Sequence, residues 1–169
     1  MNARQTAWNV LKTVTFLTAF WTVFLFAIPI GISVAEVTLG IQRFPPPPFL
    51  APALLLLFTM LVVWAAMSLA VAGAGTPLAM DPPKRLVTNG PYAYLRHPFV
   101  AGAVGQIVAL GIALGSIPVI AYAAVAMIVW YYGIRPREER VLEARFPEHV
   151  RAYRRHVRGF RPRLRPYRS

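Results

Sequence analysis

Residues 84–102 read KRLVTNGPYAYLRHPFVAG. Asn89-Gly90-Pro91 is a turn signal, because Asn and Gly tolerate positive φ and Pro fixes its own. Lys84, Arg85, Tyr92, Tyr94, Arg96 and His97 surround that turn, and apolar runs lie on both sides of it. A cationic, turn-rich island between apolar runs marks a membrane boundary. It serves there either as an anchor or as a site.

Working outward, the apolar runs are Val14 to Ile32, Phe49 to Val71, Phe99 to Leu114 and Ile117 to Ile134. The first is nineteen residues long, about the thickness of a bilayer core at 1.5 Å per residue. It is too long for a signal-peptide core and is read as a retained span. Pro29 and Gly31 loosen its far end. Ser33 to Pro48 reads as a loop closed by four prolines, a stiff spacer. Gly115-Ser116 joins the last two runs as a tight antiparallel hairpin. Gly102, Gly105 and Ala109 give the third run a small-residue face suited to close helix contact. The expected fold is all-α and polytopic, with about four transmembrane helices. Residues 1–75 form an N-terminal helix pair. Residues 76–169 hold the polar loop, the short hairpin and a basic amphipathic tail.

Composition agrees. The 169 residues are 57% hydrophobic and only 14% charged, unlike a soluble domain. There is no cysteine, which excludes disulfides and thiolate chemistry. Three histidines and six acidic residues leave little for a metal cluster, so no metal is expected. The net charge of +12 would point to nucleic acid in a soluble protein. Here twelve of the eighteen basic residues follow Ile134, beside a span, where they set orientation and meet anionic headgroups. Four spans put both termini on one side, with every basic residue except Arg43. The positive-inside rule makes that side cytoplasmic. A bacterial inner membrane is the expected location.

In the tail, Pro147 separates a helix holding Glu138, Glu139 and Leu142 from a second one. On the second, Val150, Tyr153 and Val157 share one face. Topology places the acidic pair and the 84–102 island at the same ends of one hairpin. Together they offer aromatic faces (Tyr92, Tyr94, Phe99), donors for a carboxylate or phosphate (Arg96, His97, Arg135) and carboxylates for an ammonium or ribose hydroxyls (Glu138, Glu139). S-adenosylmethionine carries all the matching groups, and a nicotinamide dinucleotide shares many of them. No glycine-rich dinucleotide fingerprint, P-loop or Gly-x-Ser-x-Gly elbow occurs. Taken singly, the tyrosines and Arg96 make an interfacial belt, His97 a helix cap and the glutamates a solvated helix start. Their joint spacing argues for a site.

LVTNGPYAYLRHPFVAG resembles the Leu-Val-x-x-Gly-x-Tyr-x-x-x-Arg-His-Pro-x-Tyr-x-Gly signature of the isoprenylcysteine carboxyl methyltransferase family. The tail REERVLEARFPEHVRAYRRHVRGFRP resembles that family's Glu-Glu-x-x-Leu-x-x-x-Phe-Gly-x-x-Tyr ending. The resemblance extends to the related phospholipid N-methyltransferases and covers about Gly73 to Pro162. It implies an integral membrane methyltransferase whose S-adenosylmethionine site faces the cytosol and whose acceptor is a lipid or another hydrophobic small molecule. By the same resemblance, Leu86, Val87, Tyr92, His97 and Pro98, with Arg96 between them, match cofactor-contacting positions. Gly73 and Gly75 match a glycine element. Glu139, with Glu138 beside it, matches the acidic position, and Arg135 or Arg137 the substrate-side arginine. The chain departs from the pattern at Val100, Pro147, Val150 and Arg158, so its acceptor need not be an isoprenylcysteine. The competing expectations are a membrane reductase of the steroid-reductase type using a nicotinamide cofactor, and a non-catalytic membrane protein.

Overall fold

The computed structural model describes residues 3–76 and 83–167. Among them all regular structure is helical. Five helices carry the fold. They are α1 (Ala3–Leu39), α2 (Leu50–Val71), α3 (Pro98–Leu114), α4 (Ile117–Arg145) and α5 (Pro147–His156), with a single 3₁₀ turn at Gly90–Ala93. Helices α1, α2 and α4 are long and apolar enough to cross a membrane. With 17 residues, α3 reaches about 26 Å, a little short of the core thickness. The exterior carries a belt of exposed apolar side chains, including Phe26, Ile30, Leu57, Met60, Trp64 and Ile128. That is the inversion expected where lipid is the solvent.

Helix α3 is the spine of the bundle. A Cβ at Gly102 would stand 2.7 Å from Val62 Cγ2, and one at Gly105 2.5 Å from the Phe58 ring. These glycines therefore let α2 and α3 approach more closely than any larger residue permits. Gln106, fully buried, accepts from Trp21 Nε1 at 3.3 Å and donates to Thr59 at 2.8 Å, tying α1, α2 and α3 together in the apolar interior. At the hairpin, Gly115 adopts φ +63°, and Ser116 caps α4 by accepting from Val119 N–H.

The loop expected at Ser33 begins instead at Gly40, because α1 runs on to Leu39. Glu36 explains the difference. A glutamate reads as a boundary in sequence, yet here it is buried, accepting from Ser116 Oγ at 2.8 Å and pairing with Arg43 at 3.3 Å. Pro29 does not end the helix either. A π segment, Thr22–Ala27, precedes it, and Ile28 N–H reaches back five residues to Val23 C=O. The register widens one residue before the proline that has no N–H to give. Helix α4 repeats the device. Trp130–Ile134 is a π segment, Arg135 N–H bonds to Trp130 C=O, and Pro136 follows. The last span and the first tail helix are therefore one continuous rod.

Candidate functional site

The 40–48 loop and the hairpin turn meet at one end of the bundle, where Phe44 N–H donates to Gly115 C=O at 3.0 Å. Everything the sequence marked for chemistry meets at the other end. Two segments build the site there. The first is 83–97. Lys84 and Arg85 N–H both donate to Gly73 C=O, at 2.8 and 3.1 Å, and a Cβ on Gly73 would stand 2.9 Å from Val87 Cγ2. Gly73 thus lets the returning chain lie against the end of α2. The second is α4's polar end with α5, which folds back across the first. Val150, Tyr153 and Val157 are buried as one face, and Tyr153 Oη donates to Tyr92 C=O at 2.6 Å.

Between these segments lies a cavity of about 130 Å³. Leu86, Val87, Tyr92, Arg96, His97, Glu138 and Glu139 line it, together with Leu69, Thr76, Leu142, Val150, Tyr153 and Arg154. Gly73, Gly75, Pro98 and Arg135 do not. Gly73 shapes the turn behind the wall, and Gly75 donates its N–H to Leu69 C=O. Pro98 starts α3, and Arg135 acts through Glu139. Arg137 is exposed and outside the lining. Val150, Tyr153 and Arg154 were missed as site residues. The apolar face of α5 fits a helix lying on the membrane surface or over a membrane-embedded pocket, but the sequence does not tell which of its residues line one.

Four cationic or ionisable groups converge on one carboxylate. Glu139 Oε1 is 3.0 Å from Arg135 Nε, 3.4 Å from Arg96 and 3.6 Å from His97 Nε2, while Oε2 is 3.5 Å from Arg154. Arg154 also pairs with Glu143 at 3.1 Å, so the three arginines are shared between two carboxylates. Arg96 Nε and His97 Nε2 are shut from water without a hydrogen-bond partner among the described residues, an arrangement that awaits an acceptor. Burial holds the His97 imidazole below its ordinary range, Glu139 opposes that, and the Arg96 and Arg135 charges add to it. Burial likewise pushes the Tyr92 and Tyr153 phenols far up, so both remain protonated donors.

Glu138 behaves differently. It makes no ion pair among the described residues, and it lines a second, larger cavity of about 420 Å³ as well as the first. That cavity lies within the bundle, walled by Phe16, Phe20 and Phe24 of α1, Ala103 and Ile107 of α3, and Tyr122, Val125 and Trp130 of α4. Glu138 is the single charged residue lining it among the described residues. Phe99 and Val100 line both cavities. The two π segments supply Phe24, Trp130 and Ile134 to its wall, in keeping with the frequency of such turns at functional sites.

A polar pocket at one end of a helical bundle with membrane-capable helices, sharing wall residues with a larger apolar cavity, is the arrangement the residues build. The sequence matches the phospholipid methyltransferase family over residues 48–149, and the chain belongs to that family of membrane methyltransferases. The cobalt-zinc-cadmium resistance protein CzcN of Cupriavidus metallidurans is 40% identical over 84 residues, which are 50% of this chain and 38% of CzcN. The nickel-cobalt-cadmium resistance protein NccN of Alcaligenes xylosoxydans xylosoxydans is 41% identical over 85 residues, 50% of this chain and 39% of NccN. The chain thus spans well under half the length of these curated relatives.

Proposed function

We propose that this protein transfers a methyl group from S-adenosylmethionine to the amine of an apolar acceptor. One observation carries the reading: the polar cavity and the apolar cavity share Phe99, Val100 and Glu138. Two ligands of opposite character would meet at that junction.

The residues present fit the cofactor. Arg96, Arg135 and Arg154 provide charge for its carboxylate, Arg96 Nε is an unused donor, and Tyr92 and Leu86 offer apolar and aromatic surface to its base. When bound, S-adenosylmethionine supplies a methyl carbon made electrophilic by a sulfonium. The protein's part is alignment, and holding acceptor and methyl in line contributes several kcal/mol or more. On transfer a nitrogen–carbon bond would form as the carbon–sulfur bond broke, with a neutral thioether as the leaving group. The nitrogen must also lose a proton, and the Glu138 carboxylate at the junction accepts it. An acceptor with a carboxylate head would face Glu138 unfavourably, which favours an amine. Glu139, already surrounded by cations, serves as the electrostatic hub that keeps three arginines convergent. The apolar body of the acceptor would lie along the Phe16–Phe20–Phe24 stripe. Clustering of basic residues at the site end supports a cytoplasmic orientation in an inner membrane.

The test is incubation of the full chain in bilayers with methyl-labelled cofactor and total lipid extract. The expected result is label in an extractable, amine-bearing product, lost in Glu138→Gln with cofactor binding kept. Binding of a nicotinamide dinucleotide in preference to S-adenosylmethionine would overturn the reading in favour of a reductase.

A further inference from the structure

After α5 the chain forms a strap over residues 158–167. It lies along Ala93–Arg96 through backbone hydrogen bonds. Arg96 N–H donates to Arg158 C=O at 3.2 Å, Arg163 N–H to Tyr94 C=O at 3.0 Å, and Tyr167 N–H to Ala93 C=O at 2.9 Å. Pro162 and Pro166 keep it extended. Two rings pin it: Phe160 packs 5.9 Å from His97 and 5.6 Å from Trp130, and Tyr167 packs 5.6 Å from both Tyr153 and His156. Its inner side therefore touches the backbone of Arg96 and the ring of His97, two lining residues of the polar cavity.

Its outer side is unlike any other surface of the molecule. Arg158, Arg161 and Arg165 are exposed and make no ion pair among the described residues. Between them Leu164 is 99% exposed. No acidic residue follows Glu148, whereas eight arginines do. The height of the strap is fixed by what it pairs with. Ala93–Arg96 end two residues before Pro98, where the apolar α3 begins, so the strap runs at the level of the headgroups.

We propose that the 158–167 strap is a contact for anionic phospholipid headgroups, and that this contact holds the Arg96–His97 wall of the polar cavity in place. Arginines at headgroup depth gain from anionic lipid, and a lone leucine beside them inserts its side chain at the acyl boundary. A nucleic-acid partner would not account for an apolar side chain amid the arginines or for their depth. The lipid contact itself is independent of what the cavity binds.

Hydrogen exchange of the full chain, without cofactor, tests this in phosphatidylcholine nanodiscs with and without phosphatidylglycerol. The amides of Arg96, Arg163 and Tyr167 report the strap directly. Anionic lipid should slow their exchange by about tenfold or more. The amide of Ser116, at the opposite end of the bundle and bonded to Gly111 C=O, serves as the control, since surface potential acts on both ends. R158Q/R161Q/R165Q should abolish the difference and leave exchange in neutral lipid unchanged. The His97 ring NMR signals should shift between the two lipids in the parent protein only. Equal exchange in both lipids, a lipid effect that survives the triple substitution, or His97 signals indifferent to lipid would each overturn the proposal.

Discussion

Each end of the bundle sets a glutamate against arginine, and the two are put to different use. At the hairpin end, Glu36 is 1% exposed, with one cation and one hydroxyl on Oε2 and nothing on Oε1. It lines neither the polar nor the apolar cavity, and its partners come from the loop and the turn. It is a stitch that fastens α1 to the hairpin. At the site end, Glu139 draws four cationic or ionisable groups and faces a cavity. An ion pair closed on itself is structure, whereas a cluster of charged groups lining a void is a candidate binding site. On this contrast Glu139→Gln should lower cofactor affinity by about 100-fold, about 2.7 kcal/mol, because three guanidiniums lose the charge that holds them together. Glu36→Gln should leave turnover per folded molecule within about twofold while costing about 3 kcal/mol of stability. Cofactor titration and thermal unfolding of both variants decide it. Equal loss of affinity in the two would break the contrast.

The stitch can be challenged without touching a charge. Gly115 sits at φ +63°, and an added Cβ would stand 2.0 Å from Phe44 C=O, a contact that only backbone movement relieves. Gly115→Ala should destabilise by about 2–3 kcal/mol, read as a lowered melting temperature with cofactor affinity unchanged. Parent-like stability would mean that loop and turn are not fastened at this point.

The site end can be sharpened at Val100, which lines both cavities. Val100→Tyr adds bulk to the wall the two cavities share. It should raise the acceptor KM by about tenfold, in the range of overpacking costs, with cofactor affinity within about twofold. Affinity for the cofactor falling in parallel would instead place residue 100 on the cofactor side alone.

What the sequence made legible followed from periodicity and composition. The apolar runs, the hairpin and the Val150–Tyr153–Val157 face carry their own patterns, and topology alone brought His97 near Glu139. Long-range pairing was the blind spot. Glu36 reads as a loop residue because its partner Ser116 is eighty positions away. The continuity of α4 into the tail was hidden because the apolar run stops at Ile134 and charge begins at Arg135, whereas α1 and α4 each carry, before a proline, a widened turn that absorbs the missing N–H. The apolar cavity was hidden for another reason. Phe16, Phe20 and Phe24 at intervals of four form a stripe that could equally face lipid, core or ligand, and only the packing of α4 decides among them. Glu138 and Glu139 were indistinguishable as a pair. One residue of helical rotation, about 100°, sends one to the cation cluster and the other to the junction.

The smallest expected effect concerns His97, whose environment has no counterpart at the hairpin end. Its side chain is 11% exposed, and burial lowers its pKa beneath the ordinary value of 6.5. Arg96 and Arg135 push the same way and Glu139 resists. Above 6.5 the ring is neutral both folded and unfolded, so it adds no pH dependence. Between 6.5 and the depressed folded value the unfolded chain holds more protons, so stability falls as pH falls through that window and levels off beneath it. The melting temperature should therefore decline on acidification from neutral pH, and His97→Asn should flatten that decline. Replacing Glu36, which has no imidazole beside it, should leave the slope unchanged. If His97→Asn keeps the parent slope, the proton enters elsewhere at this end, where burial raises the Glu138 carboxyl above its ordinary value.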